Sequence, residues 1–442
     1  MGPKINEVET DNAVPLDADV VVIGAGIIGL MCAYFLAERR LSVVVVEKGH
    51  IACEQSSRNW GWCRQSMRDP REFDLIREAL RLWPTLNERL MGDTGFRTSG
   101  IVFASRSDED DEGYRNWIAD AAQSGINAEL VHGAALRSLI PGDTSPPRAG
   151  LYCANDGRAE PQWAAPVVAQ AARRLGAKIV CRCAARGIET ADGRVVSVVT
   201  ERGTIATKTA VVAGGAWSRR LLKDLGVDLP QLKVRSSVAR TTPLEGGPEC
   251  ALWDGRVAYR KRVDGGYTIA DGSTHVVPLT PDSFRFFGDF TPMLKLEWRH
   301  LRLRLNDRFL AEWRESKPVP LDRPSPYEAA RVLDPEPDTH FLHGCLGTLQ
   351  KRYPRFAALS LAQCWAGFID ATPDAIPVIS EVAQVSGVVV ATGFSGHGFG
   401  ISPAAGHLAA DLASGVKPLV DPHHFRLTRF FDGSRHRPLM GV

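Results

Sequence analysis

Two glycine-rich segments at opposite ends of the chain hold the residues whose spacing is most informative. Residues 20–29 read VVVIGAGIIG, and residues 393–400 read GFSGHGFG. In the first segment, Gly24, Gly26 and Gly29 stand where a tight turn, close approach to a pyrophosphate and close helix packing each exclude a Cβ atom. We therefore expect Gly24 and Gly26 to contact phosphate. The two segments together indicate one bound flavin dinucleotide.

The elements around the first segment support this prediction. A buried strand precedes the glycines, a helix is expected over residues 28–39, and a second strand, LSVVVV, ends at Glu47. Glu47 follows Gly29 by 18 residues, close to the roughly 20 expected of the acid that binds ribose hydroxyls. An acid at this place would repel a 2′-phosphate, so NADP is disfavoured. The alternative is an ordinary βαβ unit with a surface glutamate.

The second segment offers backbone N–H groups to an anion. Its glycines let consecutive N–H groups face one acceptor, and residues 401–410 start a helix whose positive end points back to the loop. This arrangement would stabilise negative charge on N1 and O2 of reduced flavin. His397 can contribute through its backbone or through its imidazole. The simpler interpretation is a glycine-rich turn that feeds a helix.

The composition is that of an ordinary globular protein. The 442 residues are 44% apolar and 24% charged, which is enough for two or three domains. A balance of 53 basic against 51 acidic residues gives a net charge of +2 and does not favour nucleic acid as a partner. Nine cysteines without a CxxC pair predict reduced thiols, with neither a disulfide framework nor a metal site.

The N-terminal region predicts a cytoplasmic protein. The first 17 residues are polar, hold four acids and lack the basic and then apolar order of a signal peptide, so we expect a flexible tail. Residues 20–37 are apolar enough for a membrane span. The glycine positions, the preceding Asp19 and the strand that follows favour a βαβ unit instead.

Apolar residues at helical spacing among arginines predict an amphipathic helix over residues 294–313. Such a helix either packs on its own sheet, which we favour, or lies on a membrane surface. The choice bears on the electron acceptor, which would be oxygen or a carrier protein in the first case and a membrane quinone in the second.

Five motifs, taken in order, resemble those of a known family. They are the fingerprint at 20–29, the Ser56-Ser57 loop, AGGAWS at 213–218, WAGFIDATPD at 365–374 and GFSGHGFG at 393–400. Together they resemble the D-amino-acid oxidase family of flavoproteins, which includes glycine oxidase, sarcosine oxidase and the D-amino-acid dehydrogenases. The resemblance covers residues 18–415.

The resemblance implies an α/β fold in which a Rossmann-type FAD-binding domain is interrupted by a substrate-binding domain with a mixed β-sheet. The FAD-binding domain would take residues 18–95, 155–225 and 366–420, and the substrate-binding domain residues 96–154 and 226–365. Residues 1–17 would form the flexible tail, and residues 421–442 a C-terminal extension.

The resemblance also implies contacts to FAD. The ADP half would be held by Gly24, Gly26, Gly29 and Glu47, with Lys48 near the adenosine, Ser56 and Ser57 at the pyrophosphate and the backbone near Ala185 at the adenine. Gly214 and Trp217 would lie against the cofactor on a second glycine turn. The other expected cofactor contacts are Ile27, Ile28, Asn59, Trp60, Ala213, Gly393, Ser395, Gly396, His397, Gly398, Phe399, Gly400 and Ile401.

The implied chemistry is hydride removal from the carbon that bears a neutral amine, with flavin N5 as the acceptor. The imine then hydrolyses to a carbonyl compound and ammonia or an amine. Because the flavin carries the hard step, the protein need supply only orientation, charge and exclusion of water, and no acid or base is obligatory. The groups that the motifs place nearest the reaction are Arg64, His397 and Asp370.

The carboxylate-binding groups of the relatives are missing here. Where D-amino-acid dehydrogenases have Leu-Arg-Pro, this chain has Phe368-Ile369-Asp370, and where sarcosine oxidases have a lysine it has Gly400. If Arg64, Arg260 or Arg352 replaces that clamp, the substrate is an amino acid or an opine.

If no arginine does so, Asp370 could receive a cationic group and the substrate is a plain amine; a structural cap is the third interpretation of Asp370. Arg64 could also stabilise flavin charge or lie on the surface. The predicted substrate contacts are Trp62, Tyr259, Arg260, Trp365, Ile369 and Asp370.

Two other functions are compatible with the sequence. An NAD-dependent dehydrogenase would share the first βαβ unit but would not need the GFSGHG segment. A flavin-binding subunit of a hetero-oligomeric oxidase would bind flavin and depend on a partner chain for activity.

Overall fold

The computed structural model describes residues 2–270, 275–434 and 438–439. The N-terminal fingerprint belongs to a six-stranded sheet. Its strands are, in spatial order, Val378–Glu381, Val388–Thr392, Ala210–Val212, Val20–Ile23, Val43–Val46 and Lys178–Val180. All neighbours pair in parallel except the edge strand Val378–Glu381. The valine runs are buried, as a sheet that is covered on both faces requires.

Helices cover one face of this sheet. The helix Ile27–Glu38, predicted at 28–39, packs against Pro161–Arg174 and Gly398–Ser414, and Phe73–Arg89 packs against the latter. A three-stranded antiparallel sheet covers the other face; its strands are Ala185–Ala191, Arg194–Thr200 and Gly203–Ala206. Alternate side chains of the parallel strands enter the two resulting cores.

A second, mixed sheet of ten strands forms the other domain. Nine strands follow the order Leu301–Arg304, His275–Pro278, Leu232–Thr241, Tyr267–Ala270, Ala258–Lys261, Ala251–Trp253, Ile101–Ser105, Ala149–Cys153 and Glu129–His132. The tenth, Leu361–Ala371, pairs along Leu232–Thr241. Because these strands come between segments of the parallel sheet, the predicted fold class, an interrupted Rossmann-type domain with a mixed-sheet domain, is confirmed.

Smaller elements complete the fold. A three-stranded sheet consists of Trp62–Cys63, Gly157–Arg158 and Arg97–Thr98. The remaining α-helices are Gln55–Arg58, Asp108–Gln123, Gly133–Leu139, Ser218–Asp224, Pro281–Arg285, Phe287–Glu297, Arg308–Glu315, Pro326–Ala329 and Thr339–Arg352. The 3-10 helices are Pro70–Glu72, Gly215–Trp217, Pro354–Ala358, His423–Phe425 and Leu427–Phe430. No helix among the described residues is both long and apolar enough to cross a membrane.

The N-terminal segment differs from the expected flexible tail. Asn6 N–H donates to the Gln162 carbonyl at 3.2 Å, and Asp11 N–H donates to the Ile179 carbonyl at 2.7 Å. Asp17 forms a bridge with the strand Gly203–Ala206. Residues 2–17 therefore lie along the domain of the six-stranded sheet, because their own apolar side chains pack against its cores.

The predicted boundary at residue 366 also differs, since it falls within the strand Leu361–Ala371. That strand belongs to the larger sheet over its whole length. The other predicted domain boundaries stay predictions.

The prediction of one amphipathic helix over residues 294–313 is wrong. A helix, Phe287–Glu297, covers only the start of this stretch. It is followed by the strand Leu301–Arg304, which pairs in parallel with His275–Pro278, and then by a second helix, Arg308–Glu315. The spacing of apolar residues alone could not distinguish one long helix from a helix, a strand and a second helix in succession. Backbone pairing with a distant strand decides which of the two forms.

Candidate active site

A cavity of about 580 Å³ lies at the carboxyl ends of the parallel strands Val20–Ile23 and Val43–Val46. Residues of the ten-stranded sheet, among them Ser236 and Trp253, line its other side. Open α/β sheets bind ligands at this edge, where the loops after neighbouring strands separate.

The first glycine turn leaves no room for side chains. Gly24 has φ +111°, and a Cβ atom there would lie 2.5 Å from the Ala213 carbonyl oxygen. Gly26 lines the cavity together with Gly24, Ile27 and Ile28, whereas Gly29 does not. A Cβ at Gly29 would collide with the Gly24 carbonyl, so Gly29 serves close packing of the helix on the turn.

Glu47 lies beside this turn and faces the cavity. Its carboxylate accepts hydrogen bonds from Ala25 N–H at 2.9 Å and Gly49 N–H at 2.6 Å. Burial raises the pKa of Glu47, and those two N–H groups together with Lys48 oppose the rise. A carboxylate has about four acceptor positions, so Glu47 keeps acceptor capacity for hydroxyl groups in the cavity.

Lys48 lines the cavity, and its predicted contact with adenosine stays a prediction. Its ammonium donates to Glu54 Oε1 at 2.8 Å and to the carbonyl oxygens of Ala330 and Arg331 at 3.0 and 2.8 Å. These bonds use all three donors. The same nitrogen lies 4.5 Å from the ring centre of Trp217. Lys48 therefore fixes the cavity wall.

The loop after the second strand forms the next part of the wall. Ser56 Oγ accepts the N–H of Ile27 at 2.9 Å and lines the cavity. Ser57 does not line it; it is 1% exposed, and its hydroxyl donates to the Glu54 carbonyl at 3.4 Å. Asn59 lines the cavity and holds the loop through bonds to backbone atoms.

The C-terminal glycine segment closes the cavity. Its lining residues are Ser395, Gly396, His397, Gly398, Phe399 and Gly400. Gly393 and Ile401, which were expected there, do not line it, because Gly393 N–H turns to Asp370 at 2.8 Å. The 17-residue helix Gly398–Ser414 starts at this point, so its positive end faces the cavity.

Gly400 also explains a difference from the relatives. A Cβ atom there would lie 2.8 Å from the Trp62 carbonyl oxygen and 3.2 Å from Cys63 Cα. The close approach of this helix to the strand Trp62–Cys63 thus excludes any side chain, including the lysine of sarcosine oxidases.

A buried hydrogen bond between His397 and Glu72 supports the same segment. His397 Nε2 lies 2.8 Å from Glu72 Oε1, and both side chains are almost fully buried. His397 Nδ1 lies 3.3 Å from the Ser395 carbonyl oxygen. Burial lowers the pKa of His397, while Glu72 opposes the shift. Glu72 could not be identified from sequence motifs, because 325 residues separate it from His397.

Two arginines line the cavity next to that pair. The Arg64 guanidinium donates to the carbonyl oxygens of Ser66 and Met67 and lies over the Phe103 ring, 5.1 Å from its centre. Burial lowers the pKa of Arg64 to about 10. Arg68, which the sequence did not single out, is 8% exposed and lines the same part of the cavity.

Comparison with known proteins decides the family. A model of the DAO family, described as FAD dependent oxidoreductase, matches residues 19–412. The chain belongs to the DAO family of FAD-dependent oxidoreductases. The predicted family and cofactor are thereby confirmed, and the NAD-dependent alternative does not hold.

Relatives from this family align over most of their length. Glycine oxidase of Pseudomonas aeruginosa is 27% identical and aligns over 91% of this chain and 96% of its own. The sarcosine oxidase subunit beta of Rhodobacter capsulatus is 23% identical over 94% of this chain and 90% of its own. The structure of L-amino acid deaminase from Proteus myxofaciens in complex with anthranilate is 32% identical, with a TM-score of 0.94 over 97% of each chain. The chain is thus an FAD-dependent amine or amino-acid oxidoreductase.

The residues of this DAO-family cavity fit FAD. The turn at Gly24 and Gly26 leaves space that a Cβ atom would fill, and Glu47 offers hydrogen-bond acceptors. The backbone N–H groups at the start of the C-terminal helix face the cavity. The other predicted cofactor contacts on the cavity wall are Trp60, Ala185, Ala213, Gly214 and Trp217. We expect the ADP half of FAD at the glycine turn and the flavin ring near His397.

Three of the predicted substrate contacts do not reach the cavity. Arg260 is 1% exposed and forms a two-point ion pair with Glu160 at 2.7 and 3.1 Å. Tyr259, its neighbour on the strand, points to the opposite face and packs in an aromatic core. Trp365 is buried and donates its indole N–H to the Arg58 carbonyl at 2.9 Å. Tyr259 and Arg260 point to opposite faces of their strand, and each is enclosed by other protein groups, as Trp365 is.

Arg352 is also excluded as the missing clamp, since it forms ion pairs with Asp143 and Asp254. Trp62 and Ile369 do line the cavity, and their contact with substrate stays a prediction.

Asp370 lines the cavity but acts as a brace. Its carboxylate accepts from Gly393 N–H at 2.8 Å, from the Thr392 hydroxyl at 3.1 Å and from the Gln231 amide at 3.4 Å. Burial raises the pKa of Asp370 to about 6, and the Gly393 and Thr392 donors oppose the rise. These contacts favour the structural cap over a role in binding a cationic substrate.

Proposed function

We propose that the protein oxidises the C–N bond of an α-amino acid to an imine, which water then hydrolyses to a 2-oxo acid and ammonia. The observation that carries this proposal is the pair of cationic side chains, Arg64 and Arg68, on the cavity wall beside His397. Arg64 donates only to backbone carbonyl groups. Arg68 forms no ion pair within 4 Å among the described residues, although Glu72 and Asp156 act on it at longer range. A substrate carboxylate would give its guanidinium a direct partner.

The acids on the cavity wall do not favour a plain amine. Asp370 is held by backbone and side-chain donors, and Glu297 pairs with His300 at 3.0 Å. Glu47 lies at the glycine turn, where its carboxylate accepts the N–H groups of Ala25 and Gly49. A cationic amine would therefore meet two arginines and no available carboxylate at this end, which supports an amino acid as the substrate class.

Aromatic side chains line the space between the arginines and the second domain. They are Trp60, Trp62, Phe103, Tyr114 and Trp253. Trp60 contacts both other tryptophans, with ring centres 5.0 and 5.8 Å apart. This wall suits a large apolar side chain and excludes water from the reacting carbon. The relative from Proteus myxofaciens was solved with anthranilate, an aromatic carboxylate, which is consistent with this substrate class.

FAD, when bound, would supply the acceptor for the hydride that leaves the α-carbon of the neutral amine. One proton would then leave the nitrogen for solvent, which gives the imine. The chain itself would orient the amino acid through its charges and its aromatic wall. The helix end at Gly398 would stabilise the negative charge that the reduction creates.

The test is an anaerobic titration of the purified yellow protein with amino acids of both configurations, N-alkyl amino acids, opines and plain amines. The absorption band expected at about 450 nm for oxidised flavin reports reduction. We expect bleaching by α-amino acids with large apolar side chains and none by the matching decarboxylated amines. Bleaching by the amines alone, or by no member of the panel, would contradict the proposal.

A second candidate is a flavin-binding subunit that needs a partner, because subunit beta of a sarcosine oxidase aligns over most of its length. Such a protein would carry flavin but would not be reduced by any substrate when purified alone. Co-purification of a partner chain that restores reduction would establish this alternative.

A further inference from the structure

Residues 321–334, here called the strap, cross from one domain onto the other. In chain order the strap lies between strands of the ten-stranded sheet, yet it belongs to none of the sheets. Its regular structure is the single-turn helix Pro326–Ala329. Tyr327 and Leu333 enter the core of the domain of the six-stranded sheet. A segment inserted with the larger sheet therefore packs on the domain that holds the glycine turn.

Three side chains of the cavity wall hold the strap; they are Lys48, Glu54 and Arg58. The Lys48 ammonium donates to the carbonyl oxygens of Ala330 and Arg331 at 3.0 and 2.8 Å. Glu54 Oε1 accepts the N–H of Leu333 at 3.1 Å. The Arg58 guanidinium lies 2.8 Å from Asp334 Oδ1. The strap thus follows the outside of the cavity wall.

Tyr327 carries the strap onto the cavity wall itself. It is 3% exposed, and its ring meets that of Trp217 edge to face, with the ring centres 5.6 Å apart. Trp217 follows Gly214 on the second glycine turn, and Gly214 Cα lies 3.4 Å from the place of the missing Cβ of Gly24. The strap therefore closes the side of the cavity next to the first glycine turn, where the ADP half of FAD is expected.

The strap is fastened largely by charges at its outer edge. Glu328 pairs with Arg186 at 2.9 Å, and Arg331 pairs with Glu201 at 2.6 Å. The buried residues of the strap are Ser325, Tyr327 and Leu333. Partly exposed ion pairs each contribute little, and a segment with few buried apolar side chains opens at a lower free energy than the domain it covers. The strap can therefore detach while both large sheets remain folded.

We propose that the strap is a gate for FAD. It opens as one unit to admit the cofactor, closes with Tyr327 on the cavity wall and so limits the rate at which FAD leaves. The inference depends on the cofactor that the family shows, and it holds whichever amine or amino acid is the substrate.

The experiment loosens the outer edge of the strap and leaves the cavity wall unchanged. The double variant Glu201→Gln/Glu328→Gln removes the charge from one partner of each outer ion pair, and glutamine at 328 can still complete the helix cap of Ser325. Glu38→Gln is the control, because it breaks an ion pair with Arg89 at 2.6 Å on the helical face of the same domain. FAD release is measured by exchange against excess 5-deaza-FAD, and FAD uptake by the quenching of flavin fluorescence on the apoprotein.

We expect the double variant to release FAD on the order of tenfold faster. FAD uptake should accelerate as well, because the same opening serves entry and exit. Added salt should speed release from the wild type, since it screens the two ion pairs, and should have little effect on the double variant. Glu328→Gln alone should show the same changes to a smaller extent, and Glu38→Gln should match the wild type.

Limited proteolysis reports the opening without reference to flavin absorption. Trypsin should cleave after Arg331 more slowly when FAD is bound, and faster in the double variant than in the wild type. Equal cleavage with and without FAD overturns the proposal.

Unchanged FAD release in the double variant also overturns it. Faster release with unchanged uptake does so too, because the strap would then be a fixed part of the wall. A flavin-loaded protein that no amine or amino acid reduces, but whose FAD exchange follows these expectations, would refute the proposed function and leave the gate intact.

Discussion

At the scale of single residues, the glycine turn and the brace at Asp370 decide whether the cavity can hold its cofactor. Gly24 combines a positive φ with a carbonyl oxygen at the place of its missing Cβ, whereas Asp370 collects donors from the loop that closes the other end. A substitution at Gly24 tests the backbone shape of the site, and a substitution at Asp370 tests the charge that holds the closing loop.

Gly24→Ala should weaken FAD binding roughly tenfold or more, because the strained φ adds to a clash 2.5 Å from the Ala213 carbonyl. Gly176→Ala is the matched control, since Gly176 has φ +101° but no atom within 4 Å of its missing Cβ. Bound flavin per chain after dialysis measures both. Equal flavin loss in the two variants would show that backbone strain alone, and not the close approach of the turn to residue 213, causes the loss of flavin.

Asp370→Asn tests the brace through pH. The pKa of Asp370 is raised from 3.8 to about 6, so its contribution to folding is fully present below the unfolded value and is lost as pH rises through 6. The unfolding free energy of the wild type relative to Asp370→Asn should therefore fall between about pH 4 and pH 6. Amino-acid binding should not change. A substrate affinity that collapses in this variant at constant flavin content would instead make Asp370 a recognition group.

At the scale of elements, two helices must pack closely for the C-terminal glycine segment to reach the cavity. A Cβ at Gly406 of Gly398–Ser414 would collide with Met31 Cβ and lie 2.8 Å from Cys32 N in the helix Ile27–Glu38. The glycine fingerprint and the C-terminal segment are thus joined behind the cavity as well as around it.

Gly406→Ala should destabilise the protein by about 1–3 kcal/mol because it overpacks this contact. Gly347→Ala is the control: Gly347 lies in the helix Thr339–Arg352 with nothing within 4 Å, and alanine there should stabilise by about 0.5–1 kcal/mol. Urea denaturation with flavin bound measures both. A neutral Gly406→Ala would mean that the two helices can separate without cost.

The elements also show what the sequence could and could not predict. The glycine motifs and Glu47 were found because their geometry depends on a short stretch of chain. Arg260 was misassigned because its partner, Glu160, lies 100 residues away. Helical spacing at 294–313 failed for the same reason, since strand pairing with His275–Pro278 is not encoded locally. Arg68 and Glu72 form no recognisable motif, so only the folded structure places Arg68 on the cavity wall and Glu72 against His397.

At the scale of the whole molecule, both ends of the described chain fasten onto the FAD-binding domain. The N-terminal segment pairs with Ile179, and the C-terminal 3-10 helix Leu427–Phe430 places Arg429 on Asp374, with both side chains 1% exposed. Asp374 belongs to the turn below the C-terminal glycine segment, so the extension stabilises the cavity from outside.

Arg429→Met should cost about 3–5 kcal/mol, because it leaves the Asp374 carboxylate buried with weaker compensation from Arg71 at 3.6 Å. Arg426→Met removes a more exposed ion pair from the same segment, to Asp432, and should leave the melting temperature unchanged. Thermal melts of the two variants provide the comparison. Similar melting temperatures would show that the extension does not support the fold.

The long ladder between Leu232–Thr241 and Leu361–Ala371 has a consequence for cooperativity. It ends at Ala371, and the next residue, Thr372, donates its N–H to Ser395 Oγ at 3.2 Å, so the larger sheet leads directly to the loop that closes the cavity. The two domains should therefore melt in one transition, with flavin release and loss of β-structure superimposed. The yellow colour of this protein would then report the integrity of the domain that does not bind the dinucleotide.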